Sequence, residues 1–244
     1  MWTRHALVWR KLLGPSLLGN FGEPLLYLLA FGYGFGRLIG EVDGVPYLIF
    51  IASGVLCSSA MFSASFEGMY SAYTRMAEQN VWAGMLATPI GLDDIVTAEV
   101  LWAASKGLIS VLAMLLVALM LGLIADARIL LALPILLLAG AVFGSLALVI
   151  TAFARNYDFF LYYFTLAVTP MLLLSGVFFP LSEFPPLLQQ LAQILPLVHV
   201  VEIVRPLFLG EWPNAIAVHL GVLIVYGVIA LGLANALLHR RLMR

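Results

Sequence analysis

Few side chains in this 244-residue chain are of types able to do covalent chemistry, and their spacing argues against most reactions. Lys11 and Lys106 are the lysines, and neither follows a G-x-x-x-x-G-K-[ST] loop, whose backbone N–H groups cradle nucleotide phosphates. Hydrolysis of ATP by that route is therefore not expected of this chain, and any ATP and Mg would sit on a separate subunit. His5, His199, His219 and His239 are dispersed and offer neither an H-E-x-x-H pair nor metal-cluster spacing, so no metal or other cofactor is expected here. A G-x-S-x-G nucleophile elbow is absent as well. Cys57, the sole cysteine, lies in an apolar run and reads as a buried, inert thiol without a disulfide partner. His199 and Glu202 share a helix face at i, i+3, but two residues make no site; the pair reads as structural or gate-lining.

The elements that hold these residues follow from composition. Soluble domains carry roughly 45–50% apolar and about 25% charged residues, whereas this chain has 63% and 10%, with a mean hydropathy of +1.06. So few charges cannot make a watery surface, and the solvent is lipid. The 12 Lys and Arg are scattered, which excludes a nucleic-acid patch. About 20 apolar residues, rising 1.5 Å each, cross a hydrocarbon core of roughly 30 Å. Six segments meet that length: Leu17 to Leu38, Pro46 to Phe66, Leu101 to Ile124, Ile129 to Thr151, Phe159 to Phe179 and Asn214 to Leu238. With the N-terminus in the cytoplasm, nine basic residues fall inside, and only Arg37, Arg128 and Arg205 fall outside. The expected fold is thus an all-α polytopic membrane protein of six transmembrane helices, with both termini cytoplasmic and one domain over 1–244.

Three further stretches are informative. Residues 1–14 are not read as a signal peptide, because positive charges interrupt the apolar run. As a helix they place Trp2, Ala6, Trp9 and Leu13 on one face and Arg4 and Lys11 opposite, an amphipathic interface helix with tryptophans at headgroup depth. The long cytoplasmic loop 67–100 reads as two helices broken at Thr88-Pro89-Ile90-Gly91. The first, near Tyr70 to Ala87, carries Arg75, Glu78, Gln79 and Asn80; the second opens with Asp93 and Asp94, acidic residues favoured at a helix N-terminus. Segment 180–213 is apolar but chopped by six prolines into pieces too short to span. Two short re-entrant helices between spans five and six fit the charge rule better than a seventh span.

Ionisable groups are scarce near the middle of the spans, which lowers an ion-coupled secondary transporter. Glu23 reads as a boundary residue or a substrate contact, and Glu99 and Lys106 flank the start of span three. An intramembrane enzyme would need a nucleophile–base or carboxylate pair at one depth, and the sequence offers none. Span one alternates glycines with aromatics from Phe31 to Gly36, a pattern that permits close helix approach and offers flat rings to sugars or acyl chains. The aromatics that open span five read either as an interfacial belt or as substrate-lining residues.

The run LLSGVFFPLSEFPPLLQQLAQILPLVHVVEIVRPLFLG, Leu173 to Gly210, resembles the C-terminal signature of ABC-2 type permeases through its S-G-x-x-F-P, its Pro-Pro segment and its later L-P-L-x-H and R-P-L. The opening WTRHALVWRKLLGPSLLGNFGEPLLYLLAFGYGFG and the following GEVDGVPYLIFIASG are similar to the nodulation protein J, or lipooligosaccharide export, branch of that family. The resemblance covers essentially the whole chain. It implies a permease homodimer in the bacterial inner membrane, served by two copies of an ABC ATPase and exporting an amphiphilic glycolipid through surrounding membrane lipid. Other branches carry drugs, polysaccharides or other lipids, so a hydrophobic drug or another lipid is the alternative cargo. It also implies an ATPase-coupling segment at Arg75, Met76, Glu78, Gln79 and Trp82, with a second contact at Arg155 and Asp158. The pathway would be lined by Tyr27, Phe31, Tyr33, Phe35, Phe160, Tyr163 and Phe164. Phe179, Pro180, Glu183, His199, Glu202 and Arg205 would form the external gate.

Overall fold

The computed structural model describes residues 1–11, 26–124 and 126–243, with Tyr33 and Arg37 described in backbone only. Helix α1, Trp2–Arg10, lies first. Helix α2 winds as a π-helix over Leu28–Phe35 and finishes as an α-turn at Gly36–Ile39. A two-residue hairpin follows, β1 Glu41–Val42 paired antiparallel with β2 Val45–Pro46. Its turn is Asp43-Gly44, both at positive φ, the combination that matches the twist of the flanking strands.

Helix α3 runs unbroken from Tyr47 to Glu78, 32 residues, or about 48 Å at 1.5 Å per residue. That exceeds a bilayer core of roughly 30 Å by several turns, so its polar end projects beyond the apolar part. The separate helix expected near Tyr70 to Ala87 is therefore not present; its first half belongs to α3. The chain breaks instead at Gln79-Asn80, where Asn80 takes a left-handed conformation (φ 51°) that asparagine tolerates, and α4 is only Val81–Leu86. Helix α5, Leu92–Met120, opens as the acidic pair predicts, with the Asp94 carboxylate accepting the Gly91 N–H at 3.1 Å. A 3-10 turn at Ala127–Leu131, capped by Asp126, leads into α6, Ala132–Phe153.

Helix α7, Asp158–Leu174, ends where Ser175 and Gly176 (φ 75°) turn the chain, short of the expected Phe179. Segment 180–213 folds into α8, Pro186–Ala192, and α9, Pro196–Leu209, bent 90° from each other. Both begin with proline in the first turn, where its missing N–H is no loss. Helix α10, Ile216–Leu242, completes the chain.

Among the described residues four helices, α3, α5, α6 and α10, are long and apolar enough to cross a membrane, and the bent α8–α9 pair makes a fifth if it counts as one broken span. The four correspond to expected spans two, three, four and six. Span five is the shorter α7, and residues 17–25 of expected span one lie outside the described residues. Helix α3 is the centre: 78% of its apolar stretch is buried, against 11% for α10, which lies at the outside of the bundle. Close approach in the α5–α6 seam depends on small residues. A Cβ on Gly144 would lie 2.8 Å from that of Ala103, and one on Gly140 would lie 3.0 Å from Ala104 Cα.

Candidate functional site

The projecting end of α3 is anchored by charge. Arg75 donates from Nε to Glu99 Oε1 at 3.0 Å and from Nη2 to Glu99 Oε2, a bidentate pair, while its Nη1 meets Glu67 at 2.9 Å. Trp82, the buried residue of α4, donates its indole N–H to the same Glu99 oxygen at 3.1 Å. Glu99 is only 2% exposed, so this carboxylate joins α3, α4 and α5 at one buried point. Helix α1 adds His5, stacked on Trp102 and 3.5 Å from Glu99. Burial first, and then the adjacent Arg75 guanidinium, pull His5 down to about 4, so it is a neutral ring at neutral pH.

This arrangement sorts the expected coupling residues into two groups. Arg75, Met76 and Trp82 are anchors turned inward, whereas Glu78 and Gln79 are exposed at the break that follows. Arg155 and Asp158 are exposed as well, and their loop is docked beside the same helix end: Tyr73 Oη donates to the Arg155 carbonyl at 2.7 Å. The two expected contact elements are thus neighbours in space. Glu67, Glu99, His5 and Trp102 were not foreseen as part of this site. The signal was available, since Glu99, Trp102 and Lys106 recur at i, i+3 and i+7 on one face of an otherwise apolar helix.

The tryptophans of α1 also find a different partner from the one expected. Trp2 and Trp9 meet the Trp102 ring edge-on, at 6.1 and 6.4 Å, and Trp2 donates to Ser105 Oγ at 2.9 Å. This face of the helix is therefore directed at α5 and not at headgroups alone.

The expected pathway aromatics separate into two clusters. Tyr27, Phe31 and Phe35 stack in sequence along α2, at 5.8 and 5.6 Å, and Phe178 closes on Phe31 at 5.2 Å. Together with Tyr47 and Leu172 they border a largely apolar cleft of about 280 Å³. Phe160 and Phe164 belong to a second cluster at the opposite end of α3. There Phe164 lies 4.7 Å from Phe66, and Phe160 packs edge-on against Tyr70 and Tyr73. Tyr163 packs partly buried between the two cores. In α2 only Gly32 is in close contact, with a built Cβ falling on the Leu48 side chain; Gly34 has open space beside it.

At the far end of α3 the segment after α7 is laid directly on the helix. A Cβ on Gly54 would fall 2.5 Å from the Val177 carbonyl oxygen. Arg205 of α9 closes the same corner, donating to Ser53 Oγ at 3.0 Å and to the Gly176 carbonyl at 2.7 Å, with its guanidinium 3.8 Å over the Phe50 ring. His199 does not pair with Glu202. It holds the Gln193 carbonyl through Nε2 at 2.9 Å and His219 of α10 through Nδ1 at 2.8 Å. Phe179, Glu183 and Glu202 are exposed and Pro180 is half-buried.

Comparison with known proteins agrees with this architecture. Residues 2–209 match the family described as ABC-2 type transporter. Nodulation protein J of Sinorhizobium fredii is 42% identical over 243 residues, covering 100% of this chain and 93% of that protein. Nodulation protein J of Rhizobium leguminosarum bv. viciae is 43% identical over 244 residues, covering 100% and 94%. The Escherichia coli inner membrane transport permease YadH is 26% identical over 224 residues, covering 91% and 85%. The chain belongs to the ABC-2 type transporter family and is a multi-pass membrane permease similar along its whole length to the nodulation J proteins.

Proposed function

We propose that this chain is the membrane half of an exporter powered by a separate ABC ATPase, working as a homodimer in a bacterial inner membrane with both termini cytoplasmic. The observation that carries the reading is the clamped end of α3: a helix too long for the bilayer, fixed by Arg75 between Glu67 and Glu99, and tipped by exposed Glu78 and Gln79. A rigid lever with a polar tip is what a subunit without its own phosphate loop needs to receive a push. Helix α5 shares Glu99 with that lever, so a displacement at the tip is carried into the bundle as a rigid-body movement and not absorbed in a loop. On this reading α2 and α7 count as spans beside the four long helices, which makes six, and α8–α9 is a re-entrant pair with Arg205 and His199 at the external closure.

The proposed cargo is an amphiphilic glycolipid of lipooligosaccharide type. Full-length similarity to nodulation J proteins supports it, as does the aromatic cleft of Tyr27, Phe31 and Phe178, whose flat faces suit sugars and acyl chains alike. ATP and Mg are handled on the ATPase, and no bond of the cargo is made or broken here.

The test is reconstitution with an ABC ATPase encoded beside this chain. ATP-dependent uptake of a fluorescent N-acylated oligosaccharide into inverted vesicles is expected, together with stimulated hydrolysis. Charge reversal at Glu78 with Gln79→Lys is expected to abolish stimulation while leaving the permease folded. Uptake of a hydrophobic dye or a plain phospholipid in place of the oligosaccharide would replace the cargo assignment. Unchanged stimulation in the reversed variant would displace the lever.

A further inference from the structure

A second concave region lies between α1 and the bundle. It is a cleft of about 560 Å³ whose walls include Arg4 and Trp9 of α1, Glu67 and Arg75 of α3, and Trp102 and Lys106 of α5. Both bundle helices change character at its level. The uncharged run of α3 ends at Phe66, one residue before Glu67, and the uncharged run of α5 begins at Gly107, one residue after Lys106. The cleft therefore sits at headgroup depth, where tryptophan and basic side chains collect.

Among the described residues its charge is positive on balance. Arg75 is shared between Glu67 and Glu99, which leaves that triad one negative charge, and Arg4 and Lys106 outweigh it. His5 adds none, being neutral. The Lys106 ammonium stands 5.1 Å over the Trp9 ring, which holds it at the wall of the cleft. Ser71 and Gln79 add polar groups on the α3 side. Beside these charges α1 also presents apolar side chains, with Leu7 and Val8 both more than half exposed. A cationic recess with an apolar rim fits a molecule that is anionic at one end and oily at the other, and a small soluble anion would leave that rim in water.

We propose that this cleft binds the phosphate of an anionic phospholipid from the leaflet in which α1 lies, bridging Arg4 on α1 to Lys106 on α5. The lipid completes the seam between α1 and the bundle. Helix α1 is then held by a membrane component as well as by its tryptophans, and the seam tightens in membranes rich in anionic lipid. The inference does not depend on what the protein exports.

The full chain in neutral detergent, followed by thermal unfolding, provides the test. Added phosphatidylglycerol is expected to raise Tm by several degrees in a saturable way, while phosphatidylcholine leaves it unchanged. Inorganic phosphate at millimolar concentration separates a lipid headgroup from a free anion, and no shift is expected from it. Arg4→Gln and Lys106→Gln should each weaken phosphatidylglycerol binding about tenfold by native mass spectrometry. Arg10→Gln, a basic residue of α1 that is not part of the cleft wall, should leave it within twofold. Equal stabilisation by phosphatidylcholine or by inorganic phosphate overturns the assignment. So does an Arg10 variant that loses as much binding as Arg4, because general surface attraction would then explain the effect. If Lys106→Gln misfolds, the Arg4 and Arg10 comparison decides alone.

Discussion

Two arginines at opposite ends of α3 are buried in opposite ways. Arg75 is neutralised by carboxylates on its own helix and on α5, with an indole and an imidazole completing the shell around Glu99. Arg205 has no carboxylate within ion-pair reach among the described residues; a serine hydroxyl, a carbonyl and a phenyl face surround it. The difference is energetic. Removing one member of a compensated buried cluster strands a charge away from water, which costs far more than the cluster contributes as a whole. Removing a cation that only dipoles solvate takes away its desolvation cost along with its bonds, so the net loss is small. The Arg75 end should consequently tolerate the loss of its arginine far less well than the Arg205 end.

The largest effect is expected from Arg75→Met, which leaves Glu67 and Glu99 facing each other without a cation. A loss of roughly 3–5 kcal/mol is expected, read as a lowered Tm of the detergent-purified protein. Replacing Glu67, Arg75 and Glu99 together by Leu, Met and Leu should cost clearly less than Arg75→Met alone. If the triple replacement is the more damaging, the cluster is a net source of stability and the contrast with Arg205 collapses.

Next in size is Gly54→Ala. Its new Cβ would fall on the Val177 backbone, which cannot retreat as a flexible side-chain end could. Overpacking of about 1–3 kcal/mol is expected, and the segment after α7 should exchange its amide hydrogens faster while the Arg75 end is unaffected. Uniform loss of protection across both ends would mean that the two regions are one cooperative unit.

These contrasts were only partly legible in the sequence. The long apolar runs give α3, α5, α6 and α10 because length and hydropathy are read directly from residue types. The prolines likewise give the α8–α9 break, since Pro196 suits the first turn of a new helix but cannot continue the preceding one without losing a hydrogen bond, although Pro206 is carried inside α9. The extent of α3 was not legible. A new helix was expected near Tyr70, yet the helix from Tyr47 simply continues, its polar end fixed by Arg75, which pairs with Glu67 on its own helix and with Glu99 on another. Arg75 itself was singled out, but as a surface contact; its burial depends on a partner 24 positions away, and no local pattern reports that. His199 shows the same limit. Its i, i+3 neighbour Glu202 was visible, while His219, its actual partner, is brought in by the packing of α9 on α10.

Arg205→Met should lower stability by about 1 kcal/mol, the loss of two hydrogen bonds offset by relief of a buried charge. A loss as large as that of Arg75→Met would show that Arg205 has a charged partner in solution and would erase the distinction between the two ends.

The smallest effect is nil at neutral pH and appears only on acidification, which makes it the most specific. His5 is held near 4 by burial and by Arg75, against an ordinary value of 6.5. A group whose folded value is depressed binds more protons when released, so its contribution to docking of α1 is complete above about 6.5 and is lost progressively as pH falls toward 4. Between those values the free form of α1 gains a proton that the docked form must do without. Tryptophan fluorescence is the natural reporter, because His5 stacks on Trp102 and both α1 tryptophans meet the same ring. The signal should be flat from pH 8 to 7 and change between about 6.5 and 4, and the change should vanish in His5→Phe. Arg205 has no histidine among its described contacts, so its own hydrogen bonds should not change over that window. A pH response that persists in His5→Phe would move the sensor to the other end of the molecule, where His199 and His219 share a single hydrogen bond.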